Sequence, residues 1–254
     1  TFRTCDVVGL DTLVHVANGV QQNCPNDEAN QLFHSPDYIT KMVEKGWLGS
    51  KSKQGFYKKS KDEKGKTQIL SLNLKTLEYA PKKKAKFATL ELTKTIDNLK
   101  ERTKVLYGGK DRAGEFYRTA FNGLFQYVSN RIPEISDEIY KVDDALKAGF
   151  AWELGPFETW DIVGVENAIK LMEETDKKPA QWIYDMVESG ATAFYKLENG
   201  VKQYYDIPSK SYKTIPGSEG LIVLENIREK NTVWKNSACT VTDLGDGILN
   251  LEWV

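Results

Sequence analysis

The strongest constraint in this chain is that it states one motif twice. The opening stretch TFRTCDVVGLDTLVH aligns without gaps with FETWDIVGVENAIK, which follows Gly155-Pro156. Phe2 matches Phe157, Thr4 matches Thr159, Asp6 matches Asp161, Val8 matches Val163 and Gly9 matches Gly164. The likeness resumes downstream, where PDYITKMVEKG (36–46) matches PAQWIYDMVESG (179–190) with one residue inserted. Tyr38 then matches Trp182, Ile39 matches Ile183, Met42 matches Met186 and Val43 matches Val187, and both copies go on to an aromatic pair, Phe56-Tyr57 and Phe194-Tyr195. Self-similarity over such a span implies two structural copies in tandem.

Each copy carries its own folding instructions. In the second, Gly155 breaks the preceding chain and Pro156 suits a first helical position, where its missing N–H costs nothing. Phe157, Trp160 and Val163 recur at helical spacing, Gly164 can end that helix, and Val165, Ile169 and Met172 open another. The first copy repeats this with Phe2, Cys5 and Val8, then Gly9, then Leu10, Leu13, Val14 and Ala17. Material upstream of the second copy has no counterpart before the first. Tyr117, Ala120, Phe121, Leu124 and Val128 mark an amphipathic helix. Leu92, Ile96, Leu99 and Leu106 mark another, stopped by Gly108-Gly109. KVDDALKAGF (141–150) reads as a short helix capped by Asp143 or Asp144 and ended by Gly149.

Between the copies, residues 61–86 read as a charged linker with a β-hairpin around 70–79. The basic run 82–84 reads as solvated, since no aromatic residues are interleaved with it for stacking on bases. After Asp206, LIVLENI (221–227) is a strand candidate, and 239–254 reads as two strands about the turn Gly245-Asp246-Gly247. The fold class is therefore mainly α, with short β-hairpins and a β-rich tail that reaches Val254 inside a strand.

Composition removes several function classes. A net charge of −1 and a pI near 6.2 give no long-range field for nucleic acid or an anionic membrane. No apolar run approaches the roughly 20 residues of a membrane span. Three scattered cysteines, Cys5, Cys24 and Cys239, lack metal spacing and read as reduced thiols of a cytoplasmic protein.

No candidate for chemistry survives its structural alternative. His15 falls where the second copy has Lys170, a polar slot beside an apolar face, and His34 enters a helix through Ser35-Pro36. Asp6 and Asp161 share one place in the repeat, where an acid near a helix start can serve the dipole and bond backbone. Asp143-Asp144 and Glu173-Glu174 read as caps and solvated faces. Trp47, Trp160 and Trp182 read as core or interface anchors. No Gly-x-Gly-x-x-Gly opens a helix after a strand, and no Gly-x-Ser-x-Gly or Cys/His pair is present. By residues alone the chain is a scaffold with no catalytic, cofactor-binding or metal residue.

The phrase Gly-Pro-Phe-x-x-x-Asp-x-x-Gly (155–164), with Val-Asp-x-Ala-x-x-x-Gly (142–149) upstream, resembles the C-terminal helical domain of 3-hydroxyacyl-CoA dehydrogenases. The first copy resembles it through DVVGLDTLVHV (6–16) and LGSKSKQGFY (48–57). Tandem copies resemble fused fatty-acid β-oxidation proteins, and DLGDGILNLEWV (243–254) is similar to the first hairpin of a crotonase-type enoyl-CoA hydratase. The resemblance implies domains at 1–60 (truncated at its start), 87–207 and 208–254. It further implies NAD bound by an upstream domain and an acyl-CoA substrate reached through the longer protein, with a hydratase domain downstream and no activity in the isolated piece. The family's substrate-positioning Asn would fall near Arg118, one helical turn from Asn122. The competing expectation is a non-catalytic helical repeat module, with partner grooves on 10–20 and 117–128.

Overall fold

A computed structural model describes residues 1–82, 85–218 and 220–253. Lys83 and Lys84 of the basic run, and Val254, lie outside the described residues. The chain divides into two compact units, 1–85 and 86–254, and helix predominates, with three small antiparallel sheets.

In the first unit, α1 (Phe2–Val8), α2 (Leu10–Asn23) and α3 (Asp37–Glu44) precede a meander of β1 (Tyr57–Lys61), β2 (Thr67–Leu72) and β3 (Tyr79–Pro81). Gly9 joins α1 to α2 at φ 105°, a value that favours glycine. Leu10, Ile39, Met42 and Phe56 form the buried centre. The hairpin expected around 70–79 is formed by β2 and β3, and the charged stretch before it, expected as linker, joins the same sheet through the β1–β2 pairing. Tyr57 pairs with Ser71 and Leu72 with Tyr79, and Leu72, Leu74 and Leu77 pack on the core. Its charges mislead because they sit on the solvent face and in the turn at 62–66, while the leucines point inward.

The second unit begins with α4 (Ala88–Leu92), α5 (Leu99–Gly108), α6 (Arg112–Asn130) and α7 (Ile139–Phe150). The helix expected across Leu92–Leu106 is broken between α4 and α5. Asn98 caps α5 by accepting the Glu101 N–H at 3.0 Å, and such a cap forces a non-helical backbone at that point. The copy proper then follows as α8 (Pro156–Val163), α9 (Val165–Glu173), α10 (Gln181–Glu188) and the meander β4 (Tyr195–Glu198), β5 (Val201–Asp206) and β6 (Ser211–Thr214). Gly164 repeats the positive φ of Gly9, at 88°. The core is aromatic: Phe125 of α6 stacks on Trp160 at 4.7 Å between ring centres, and Phe157 and Phe194 close around it.

The tail corrects one expectation. LIVLENI is not a strand; α11 (Leu224–Asn231) occupies it, followed by β7 (Thr232–Lys235), β8 (Cys239–Gly245) and β9 (Ile248–Trp253). The charged run ENIREK continues past the apolar triplet and favours helix, which a window ending at Ile227 conceals. The turn at 245–247 joins β8 to β9 as expected.

Candidate functional site

The repeat-equivalent aspartates do the same work in both units. Asp6 of α1 accepts the backbone N–H groups of Phe56 and Tyr57 at 2.8 and 2.9 Å. Asp161 of α8 accepts those of Phe194 and Tyr195 at 2.7 and 2.9 Å. One carboxylate thus pins the start of the meander to the first helix of the copy. Structural work, on the helix dipole or on backbone, is what the sequence assigns to these acids; the backbone they bond lies far along the chain. The aromatic pair is held the same way in both: Phe2 lies 4.6 Å from Phe56, and Phe157 lies 4.9 Å from Phe194. A third correspondence escaped the alignment. Tyr79 donates its hydroxyl to the Gly55 carbonyl, as Tyr212 does to the Ala193 carbonyl.

The second unit adds a further carboxylate. Asp143 lies within α7, which starts at Ile139, so it cannot cap that helix as expected. It caps the next one, accepting the N–H groups of Phe157 and Glu158 at 2.9 and 3.0 Å and the Tyr195 hydroxyl at 2.8 Å. Only glycine fits before Pro156, because a Cβ on Gly155 would stand 2.2 Å from the Asp143 carboxyl carbon. Beside this knot, Glu158 takes Lys147 and Lys202, and the Lys202 ammonium sits 4.1 Å from the centre of the Tyr195 ring.

Burial dominates the electrostatics here. It lifts Asp143 to about 7 against the pull of the Phe157 N–H and the Tyr195 hydroxyl, and lifts Asp161 to about 7 against the N–H groups of Phe194 and Tyr195. Burial likewise raises Tyr195, with Asp143 adding to it. Glu158 goes the other way: its lysine and backbone donors outweigh burial and hold it below the usual carboxylate range. Stability follows from these signs. Both aspartates keep, between their ordinary 3.8 and about 7, protons that the unfolded chain has released. Their contribution is therefore full below about pH 4 and lost as pH rises towards 7. A tenfold change in proton affinity corresponds to about 1.4 kcal/mol, so the second unit is expected to lose a few kcal/mol between pH 5 and 7.5. Urea midpoints of wild type and Asp161→Asn check this: the wild-type midpoint falls over that range and the variant's falls less. A flat or rising wild-type midpoint would refute the assignment.

A cleft of about 850 Å³ opens alongside, walled by α5, α8, β4, β5 and the approach to α11. Each of its five lysines is paired: Lys100 with Glu225, Lys104 with Glu101, Lys147 and Lys202 with Glu158, and Lys196 with Glu198. Its inner carboxylates are tied to backbone, so none stands ready as a general base. The cluster fastens helices to a sheet.

The other sequence candidates are placed plainly. Asn122 is buried and accepts the Tyr107 hydroxyl at 2.7 Å, while Arg118 reaches the carbonyls of Tyr107 and Gly109. Burial pushes Tyr107 up to about 12. Both residues lock the turn between α5 and α6. His15 and His34 are exposed, and His34 meets Gln21 at 2.7 Å. Glu173 accepts the Tyr184 hydroxyl. Cys5, Cys24 and Cys239 are free thiols. Trp160 and Trp182 belong to the aromatic core, and Trp47 packs 5.5 Å from Tyr79. No helix among the described residues is long and apolar enough to cross a membrane.

Residues 1–59 match the family model "3-hydroxyacyl-CoA dehydrogenase, C-terminal domain". A Bacillus subtilis protein named "Probable 3-hydroxyacyl-CoA dehydrogenase" is 39% identical over all 254 residues, and the chain covers 31% of it. A Deinococcus radiodurans protein of the same name is 48% identical over 69 residues, 27% of this chain and 19% of that protein. A Rickettsia felis protein, whose name describes a fatty acid oxidation complex trifunctional enzyme, is 25% identical over 176 residues, 69% of this chain and 23% of that protein.

Proposed function

Starting from a chain that belongs to the 3-hydroxyacyl-CoA dehydrogenases, we propose that it forms the helical, substrate-side part of an NAD-dependent enzyme of fatty-acid β-oxidation. The reaction is oxidation of 3-hydroxyacyl-CoA to 3-ketoacyl-CoA. NAD would supply the acceptor for the hydride leaving C3, and the groups that would hold it and take up the hydroxyl proton are expected upstream of Thr1, not among the residues described above. The first unit completes the dehydrogenase's own helical domain, and its sheet extends that domain through the stretch 61–85. Within the second unit, the duplicate of that domain, kept for structure, runs from 87 past the expected 207 to the end of β6 at Thr214, and a crotonase-like domain begins after it.

The observation that carries this reading is the shared fastening of the two units: Asp6 on Phe56-Tyr57, Asp161 on Phe194-Tyr195, and the tyrosine bond that follows each. Duplication of one domain accounts for all three. A structural role for the second unit is supported by Asn122 and Arg118, whose polar atoms are engaged inside the fold where a substrate contact would be needed.

The test is NADH-dependent reduction of acetoacetyl-CoA. The isolated 254-residue chain is expected to show no turnover, and the protein extended upstream is expected to show it. A well-folded extended protein without turnover would overturn the reading and favour the helical association module.

A further inference from the structure

The near-zero charge of the chain conceals a segregation. Residues 45–85 hold twelve lysines and three acids, a net +9, so the remaining residues carry −10 against the total of −1. Among the described residues of that stretch, Lys51 is the one lysine in an ion pair, with Asp11 at 2.6 Å. Of the acids, Asp62 is engaged in its own turn, where it accepts the N–H groups of Lys64 and Lys66 at 2.9 and 2.8 Å. Lysines on an edge strand such as β1 guard it against pairing with another sheet. That role does not extend to the lysines of 51–53 or of the turn at 62–66.

The register of the sheet gathers part of this charge on one face. Residues directly opposite on paired strands share a face, so Tyr57 lies with Ser71, Lys59 with Ile69 and Lys61 with Thr67, all on the same side. Lys59 and Lys61 are exposed, Ile69 is 46% exposed, and the Arg3 guanidinium stands 5.7 Å from the centre of the Tyr57 ring at the end of the row. Alternate residues of a strand are about 7 Å apart, so the row presents closely spaced cations with an apolar side chain beside the middle one. Three features choose the partner. The charge of the stretch is carried by lysines, and ammonium groups act as point charges without the fork that reads one fixed phosphate geometry. The nearby rings offer no free platform for stacking bases. Lys45 lies over Trp47 and Lys58 over Tyr79, both at 5.5 Å, Trp47 and Tyr79 pack on each other, and Trp47 and Tyr57 pack on the core. Exposed Ile69 among cations suits a boundary where an apolar side chain enters beneath anionic headgroups. We propose that the face formed by Arg3, Lys59, Lys61 and Ile69 of the first unit docks on an anionic phospholipid surface.

The experiment is co-sedimentation of the 254-residue chain with vesicles of phosphatidylcholine alone and of phosphatidylcholine mixed with phosphatidylglycerol. The chain is expected to sediment with the mixed vesicles only, and to be released at about 1 M salt, where the Debye length falls to about 3 Å. A lysine at such a surface contributes about fivefold in affinity, so Lys59→Gln combined with Lys61→Gln should weaken binding about 25-fold. Arginine at both positions keeps the charge and should bind as the wild type does. Lys170→Gln combined with Lys235→Gln makes the same charge change at exposed lysines of the second unit and should leave binding unchanged. Sedimentation independent of phosphatidylglycerol, or none at all, overturns the proposal. So does an equal loss in the two glutamine variants, because total charge and not this face then governs binding, and so does a loss in the arginine variant. An oligothymidylate bound more tightly than the mixed vesicles overturns it in favour of nucleic acid. Self-association at low salt that the Lys59 and Lys61 substitutions abolish also overturns it, since acidic surface of a second copy then takes the face.

Discussion

Replacing Asp143 by alanine is expected to destabilise the second unit by about 2–4 kcal/mol, among the largest effects of any single polar substitution in the chain. The side chain is an acceptor for three donors that have no alternative: the N–H groups of Phe157 and Glu158 and the Tyr195 hydroxyl. Removing an acceptor inside a protein leaves each donor with a desolvation penalty of about 1–3 kcal/mol. Part of that loss is returned, because the burial that pushes Asp143 up to about 7 is itself unfavourable to its charge and the cost disappears with the carboxyl. The adjacent Asp144 is the control. It is exposed and paired with Lys147 across one helical turn, so Asp144→Ala should cost less than about 0.5 kcal/mol. Urea denaturation of the two variants beside wild type separates the cases. Equal effects would mean that Asp143 does not fasten α7, α8 and β4 together.

The same residue shows where the sequence was legible and where it was not. The repeat could be read because its matched residues lie close together in the chain. Phe, Asp and Gly at fixed offsets on one short helix give one pattern, and Ile, Met and Val on another helix give a second. The helix order of each unit followed from those spacings. The bonds that close the unit could not be read in this way. Asp161 meets its partners more than thirty residues downstream, Tyr195 meets Asp143 over fifty residues upstream, and neither separation has a local period. The Tyr79 and Tyr212 correspondence was hidden for a related reason, since the loops and turns leading to the two tyrosines differ in length between the copies. Local charge concealed part of the first sheet: the hairpin around 70–79 was legible, but the lysines of β1 and its turn hid the strand that pairs with it. The aspartates were placed correctly in the repeat and read as structural acids that bond backbone; only the site of that backbone, far along the chain, had no local signal.

Trp160→Ala is expected to cost more still, about 3–5 kcal/mol, and the first unit explains why the figure is not general to the repeat. Trp160 is fully buried, stacks on Phe125 at 4.7 Å and lies 5.1 Å from Phe194. Alanine there leaves a cavity bounded by rings from α6, α8 and the sheet entry, and the start of α8 and the sheet entry are already pinned by Asp143 and Asp161, which limits their collapse into it. Its repeat counterpart is Cys5, half-buried and with no α6 equivalent among residues 1–85, so Cys5→Ala should cost less than about 1 kcal/mol. Denaturant midpoints of both variants test the contrast. A small loss for Trp160→Ala would mean that the aromatic stack contributes little and that the second unit is held mainly by its carboxylate fasteners. A large loss for Trp160 beside a small one for Cys5 would locate the divergence of the copies in their covering helices. One copy has its own cover in α5, α6 and α7 and needs a large ring to meet it; the other keeps a thiol at the same place.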